Sequence, residues 1–237
     1  MSEDLRTTAV RVPVGDAALL GDLELPARPR GIVLFAHGSG SSRFSPRNQF
    51  VARALQRRGL GTLLIDLLTS VEEKIDDQTA RYRFDIPMLA RRLVMIVDWL
   101  RGQPQTRAMP IGVFGASTGG GAALIAAAQR PQQIGAVVSR GGRPDLAGAW
   151  LAEVTAPTLL IVGGLDGPVI DMNRDAMQQM RHCEVTLEIV PGATHLFEEP
   201  GTLERVAGLA GDWFVDRVDA QTKKEPHHGA ITVDSKG

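Results

Sequence analysis

Ile111-Gly112-Val113-Phe114-Gly115-Ala116-Ser117-Thr118-Gly119-Gly120-Gly121 is the stretch on which the fold of this chain turns. An apolar run leads into Gly-Ala-Ser-Thr-Gly, and a segment rich in glycine and alanine continues to Gln129. The pattern G-x-S-x-G between an apolar strand and a small-residue helix predicts a sharp strand–turn–helix elbow. A serine on such a turn is held in a strained backbone conformation with its hydroxyl exposed. Gly115 and Gly119 then stand where neighbouring backbone leaves no room for a Cβ. The helix that begins there aims the positive end of its dipole at the serine oxygen. G-x-S-x-G is a weak pattern alone, and a glycine-rich turn with an incidental serine would read the same. The strand before it and the helix after it favour the functional reading.

Glycines that open a helix also occur in nucleotide sites, but the details here exclude them. The spacing G-x-G-x-x-G is absent, and no acidic residue lies between Asp98 and Asp145 to hold a ribose. No Lys-Ser or Lys-Thr follows the glycines, so a phosphate-gripping P-loop fails as well.

Working outward, strand and helix patterns alternate. Gly31–Ala36 is a short continuous apolar run, as expected of a strand buried on both faces. Arg47–Arg58 has helical spacing of apolar residues and Gly59 stops it. Thr62–Leu67 reads as a strand, Asp85–Leu100 as an amphipathic helix, and Pro110–Phe114 as a strand before the helix Thr118–Gln129. Ile134–Val138 and Pro157–Val162 are strands, with a short helix around Asp145–Glu153 between them. Val169–Met180 is a helix, Val185–Val190 a strand, and Leu203–Val218 a final amphipathic helix. Such alternation predicts a doubly wound, mostly parallel α/β sheet with right-handed crossovers. Thr8–Val14 and Ala18–Leu25 have no helix between them and predict an antiparallel N-terminal edge. The expected organisation is one domain over residues 1–218 and a disordered polar tail over 219–237, which carries His227 and His228.

Composition sets the outer limits. The chain has 237 residues, 43% hydrophobic and 22% charged, values of an ordinary globular protein. Its formal net charge of -1 gives no field favouring nucleic acid, and no nucleic-acid-binding motif is present. No apolar run reaches the roughly 18 residues needed to cross a bilayer. A single cysteine, Cys183, cannot form an intrachain disulfide, and the first residues lack the apolar core of a signal peptide. These features predict a cytoplasmic protein without membrane or nucleic-acid partners, a monomer or homodimer.

A serine hydroxyl needs a base to take its proton. Of the five histidines, His195 follows the strand Val185–Val190 in Pro191-Gly192-Ala193-Thr194-His195-Leu196-Phe197, at the sheet edge where Ser117 is expected. His37 ends an earlier strand and is expected to shape its loop. The acid that would orient His195 is Asp166, just past Pro157–Val162, which gives the chain order Ser, Asp, His. Asp171 falls on the next helix, and Asp66 is a weaker alternative.

Strand–His-Gly-Ser-Gly at 37–40, strand–Gly-Ala-Ser-Thr-Gly-Gly at 115–120, strand–Gly-Gly-Leu-Asp-Gly-Pro-Val at 163–169 and strand–Pro-Gly-Ala-Thr-His-Leu-Phe at 191–197 together resemble the α/β-hydrolase superfamily. Over Thr8 to Val218 the small size is similar to the dienelactone-hydrolase-like branch. That resemblance implies an esterase or lactonase acting on a small-molecule ester or lactone, with no metal or organic cofactor; acyl transfer or peptidase activity would use the same residues, and a hydrolase-like module that binds a small molecule without turning it over is the alternative of another class. Dienelactone hydrolase itself uses a cysteine nucleophile, whereas this chain has Ser117, so ester hydrolysis transfers and the dienelactone substrate does not. The architecture also implies an oxyanion hole from the backbone amide of Thr118 and a loop amide at Ser39, with Gly40 next. The connection 139–156 is too short for a cap domain, which predicts an open site. Arginines crowd the expected loops: Arg43, Arg47, Arg81, Arg83, Arg140 and Arg143. Most such charges form solvated pairs; the sharper expectation is that Arg140, Arg143 or Arg43 grips an anionic group on the substrate.

Overall fold

In a computed structural model that describes residues 5–224, the apolar runs lie side by side in one sheet. The strands are β1 (Arg6–Val14), β2 (Ala17–Leu25), β3 (Ile32–Ala36), β4 (Gly61–Ile65), β5 (Ile111–Ala116), β6 (Ile134–Arg140), β7 (Thr158–Gly163) and β8 (Val185–Val190). Their order across the sheet is β1-β2-β4-β3-β5-β6-β7-β8. β1 pairs antiparallel with β2, and β2 with β4; every other pairing is parallel. The expected sheet and its antiparallel edge are therefore present.

Alternation along β3 explains its continuous hydrophobicity. Ile32, Leu34 and Ala36 join the core on one face, and Val33 and Phe35 the core on the other. Helices cover both faces. α3 (Ile86–Gly102), α4 (Thr118–Gln129) and Ala176 of α5 (Gly167–Gln179) pack into the first core. α1 (Pro46–Gln56) and α6 (Thr202–Lys224) pack into the second. Parallel strands covered in this way gather their C-terminal ends along one edge, where open α/β sheets carry their sites. Ala36, Ala116, Arg140 and Gly163 all end strands there.

Two elements depart from the sequence reading. α2 (Ser70–Thr79) falls in the stretch between Leu67 and Asp85, to which the sequence reading assigned no element, and carries Glu72, Glu73, Asp76 and Asp77. Its capping box ties the Thr69 side chain to the Glu72 amide and the Glu72 carboxylate to the Thr69 amide. Arg92 of α3 then grips both Glu72 oxygens, at 2.6 and 2.9 Å. α6 runs to Lys224, beyond Val218 where periodicity fades; polar residues end an amphipathic stripe without ending a helix. The remainder of the tail, with His227 and His228, lies outside the described residues. Between β6 and β7 there is only a 3-10 segment, Pro144–Glu153, packed on α4 and α5. No helix among the described residues is long and apolar enough to cross a membrane.

Candidate active site

Ser117 joins β5 to α4 with φ 50° and ψ −121°, a region L-residues rarely occupy. Close packing enforces it. A Cβ on Gly115 would meet the Gly119 carbonyl oxygen at 2.6 Å, and one on Gly119 the Ala36 carbonyl oxygen at 2.3 Å. The elbow is also bonded from β6: the Ser117 amide donates to the Arg140 carbonyl at 3.2 Å, and the Arg143 amide donates to the Ser117 carbonyl at 3.0 Å.

His195 arrives from the loop after β8. Its Nδ1–H donates to Asp166 Oδ2 at 2.7 Å, and its Nε2 lies 3.4 Å from Ser117 Oγ. A carboxylate only accepts, so the proton resides on Nδ1 and Nε2 is left free to accept from the serine. Asp166 stands just past β7 at the N-cap position of α5, where its side chain makes no capping bond, and that side chain is 15% exposed. Sequence reasoning named these groups from three separate strand ends, and the structure brings them together. Such an arrangement can deprotonate a hydroxyl and return the proton to a leaving group.

The expected oxyanion donors divide. The Thr118 amide opens α4 and has no intrahelical acceptor. Ser39 lines the Ser117 cleft, yet its amide donates to Thr118 Oγ1 at 3.0 Å. The Thr118 side chain thus stitches the loop after β3 to the elbow. Gly40 does not line the cleft itself; it lines an adjoining small cavity with Asp76 and Arg83, the two sharing Gly38, Ser39 and Ser41 as a wall. His37 anchors the same loop from beneath. Its Nε2 accepts from the Leu67 amide at 2.9 Å and its Nδ1–H donates to the Gly38 carbonyl at 2.9 Å. Burial holds its pKa below the ordinary 6.5, as a neutral structural link requires.

The arginines sort by partner. Arg43 pairs with Asp66 and Asp22, away from Ser117, so it corrects the expectation of substrate contact and removes Asp66 as an alternative acid. Arg143 is engaged by both Asp145 oxygens at 2.8 and 2.7 Å and does not line the cleft, a second correction. In each case an acid on a neighbouring element or turn claims the guanidinium. Arg140 does line the cleft, of about 230 Å³, together with Ser45, Arg47, Asn48, Ser117 and His195. Sequence reasoning left Asn48 and Ser45 out, since nothing in α1 marked its N-terminus as facing Ser117. Cys183 is half-buried against the core, and burial raises its pKa. Among the described residues no cluster of three or more His, Cys, Asp or Glu side chains could hold a metal ion.

The strand order, the elbow and the helices on both faces define an α/β-hydrolase. More narrowly, residues 25–216 match the model of the dienelactone hydrolase family, and the chain belongs to that family. It is 59% identical to a dienelactone hydrolase from Anabaena variabilis of known crystal structure; the match covers 90% of this chain and 98% of that one, with a TM-score of 0.88. Est1E from Butyrivibrio proteoclasticus shares the fold at 16% identity, with a TM-score of 0.72 over 89% of this chain and 99% of that one. The chain is also 55% identical over 215 residues to a Mycobacterium tuberculosis protein named as a phosphoribosyl transferase; the match covers 90% of this chain and 47% of that protein. This chain therefore spans about half the length of that curated relative.

Proposed function

We propose that this chain is a serine hydrolase that cleaves a carboxylic ester or lactone through an acyl-enzyme. The observation that carries the proposal is the linear relay Asp166–His195–Ser117, with spacings of 2.7 and 3.4 Å, set on a strained elbow. A contact of 3.4 Å is long for a bond to a hydroxyl, as in many sites without substrate, and tightens when the carbonyl docks.

Ser117 Oγ attacks the carbonyl carbon while His195 Nε2 takes the hydroxyl proton, and the C=O electrons move onto oxygen. Asp166 holds the imidazolium so formed without itself accepting the proton. The Thr118 amide and the α4 dipole face the developing oxyanion; the Ser39 amide joins them by turning from Thr118 Oγ1. Each such donor contributes about 3–4 kcal/mol. Collapse expels the alkoxide, which takes the proton from His195; in a lactone it stays tethered to the acyl group. Water then repeats the sequence against the acyl-enzyme and frees Ser117. The parts are those of acyl transfer to water, and the phosphoribosyl transferase name of the longer relative contributes nothing to this reading. A lone half-buried thiol suits a reducing, cytoplasmic setting.

Labelling by a fluorophosphonate probe tests the proposal, alongside hydrolysis of p-nitrophenyl esters of graded acyl length and of lactones. Wild type should label and turn over at least one ester, and Ser117→Ala should do neither. A wild-type chain that resists the probe, or a Ser117→Ala variant that labels equally, overturns it.

A further inference from the structure

Asn173 is fully buried on α5, where the other buried residues are Val169, Ile170 and Ala176. Its side-chain amide donates twice: to the Val169 carbonyl one turn back at 2.8 Å, and to the Gly142 carbonyl in the connection after β6 at 3.0 Å. Its Oδ1 has no partner among the described residues. A buried amide oxygen left without a donor is costly to a fold, and an apolar side chain here would avoid that cost. The Val169 carbonyl gains little from the side chain, since an α-helix already aims the backbone amide four residues on at each carbonyl. What asparagine adds at this position is the bond to Gly142.

Gly142 is the middle of a short loop that touches both His195 and Ser117. On one side, the Gly141 amide donates to the Ile161 carbonyl of β7 at 2.7 Å. A Cβ on Gly141 would lie 3.1 Å from the His195 carbonyl oxygen and 3.5 Å from Cε1 of its ring. On the other side, the Arg143 amide donates to the Ser117 carbonyl at 3.0 Å. Gly142 itself is wedged between β6 and α4, where a Cβ would fall on Ser139 Oγ. Gly141 has φ 52° and Gly142 has no room for a side chain, so neither can anchor the loop by one of its own. The brace comes from outside, and Asn173 supplies it. Asp166, which orients His195, stands at the N-cap position of the same helix, seven residues or about two turns earlier. One helix thus holds the acid directly and, through Gly142, the backbone between the base and the nucleophile. Neither Asn173 nor Gly142 lines the cleft.

We propose that Asn173 is a positioning residue: its bond to the Gly142 carbonyl holds the loop 141–143 and thereby sets the distance between Ser117 Oγ and His195 Nε2. The kinetic part of the proposal rests on the hydrolase reading; the bracing of the loop does not. Without the bond, the loop shifts against the elbow and the imidazole, and the proton transfer from Ser117 slows. The cleft walls that receive the substrate are built by other segments, Ser45 to Asn48 among them, and stay in place.

Two variants that share only the loss of this bond test the proposal. Asn173→Ser keeps a hydroxyl for the Val169 carbonyl, one turn back, but is too short for Gly142. Asn173→Leu fills the space and has no donor. Each is compared with the wild-type full chain in three measurements: kcat and KM on a neutral p-nitrophenyl ester, the rate of fluorophosphonate labelling, and deuterium uptake by a peptide spanning 140–144. Both variants should lose about tenfold or more in kcat and label more slowly by the same factor, as misplaced reacting groups do. KM should stay within about twofold, since the interaction lost does not bind substrate. Uptake over 140–144 should quicken in both. Ile170→Ala removes packing from the same helix but leaves the bond intact; it should lower Tm, keep kcat within about twofold and leave the uptake unchanged. If one Asn173 variant fails to fold, the other decides. A kcat loss below about tenfold, an equal loss in Ile170→Ala, or unchanged uptake overturns the proposal. A wild type that neither labels nor cleaves any ester is a different failure: the hydrolase reading falls, and deuterium uptake alone decides whether Asn173 braces the loop.

Discussion

Asp166 Oδ2 and His195 Nδ1 are 2.7 Å apart although 29 residues separate them in the chain. That bond sets which imidazole nitrogen faces Ser117. Asp166→Asn keeps the shape but offers an amide that can donate, which lets His195 carry its proton on Nε2 instead, where it cannot accept from the serine. We expect kcat on a neutral p-nitrophenyl ester to fall about 10⁴-fold, with KM little changed and the circular dichroism spectrum intact. A loss below tenfold would remove Asp166 from the proposed relay.

Gly119 is tested by one methyl group. In Gly119→Ala the new Cβ would sit 2.3 Å from the Ala36 oxygen and 2.7 Å from the His37 oxygen. Both obstacles are backbone of the loop that carries Ser39, so neither yields as a side-chain end would. The expected cost is about 3 kcal/mol of stability, read by urea denaturation, with activity reduced as the elbow and loop are pushed apart. Gly208, where an added Cβ would meet nothing within 4 Å, is the control: Gly208→Ala should be stable.

The pH dependence of stability follows from His37. Its folded-state pKa is lowered by burial, so the unfolded chain binds its proton more readily. Stability is therefore full above the ordinary value of 6.5 and declines as pH falls below it. Glu72 and Asp76 shift downward as well, which also costs stability on acidification, but their ordinary values of 4.5 and 3.8 place that loss at lower pH. Urea midpoints taken at pH 7.5, 6 and 5 should fall across this range in wild type and stay nearly flat in His37→Gln. Parallel curves for the two chains would assign the early loss to another group.

The elements that could be read from sequence are those whose stability is written in local pattern. β3 and β5 sit between two helical layers, so every position is apolar, and α4 must be small because it packs on the sheet beneath the elbow. α2 escaped because Val71 and Ile75 face solvent and only Asp76 is buried. Its stability comes from caps and from Arg92, fixed by a partner twenty positions on; the T-x-x-E spacing of Thr69 and Glu72 was the legible sign. The site divides in the same way. Strand ends announce Ser117, Asp166 and His195. Which arginine stays unpaired is decided by distant partners such as Asp66 for Arg43 and Glu198 for Arg47, and no local pattern carries that.

Ser117 itself stores strain that can be measured apart from its chemistry. At φ 50° and ψ −121° a residue with a Cβ is disfavoured, and the packing of Gly115 and Gly119 against backbone prevents relaxation. Such positions cost about 1–3 kcal/mol. Glycine relieves that cost, although its freer unfolded chain returns about 0.4–1 kcal/mol. Ser117→Ala and Ser117→Gly both remove the hydroxyl, so neither should label with a fluorophosphonate or hydrolyse an ester. They differ only in the Cβ, and Ser117→Gly should be the more stable of the two by about 1 kcal/mol in urea. If alanine proves equal or better, the elbow is not strained and the exposure of the serine must come from the loops around it. If glycine is favoured, the fold holds Ser117 in a costly conformation at the one position where an exposed hydroxyl faces His195.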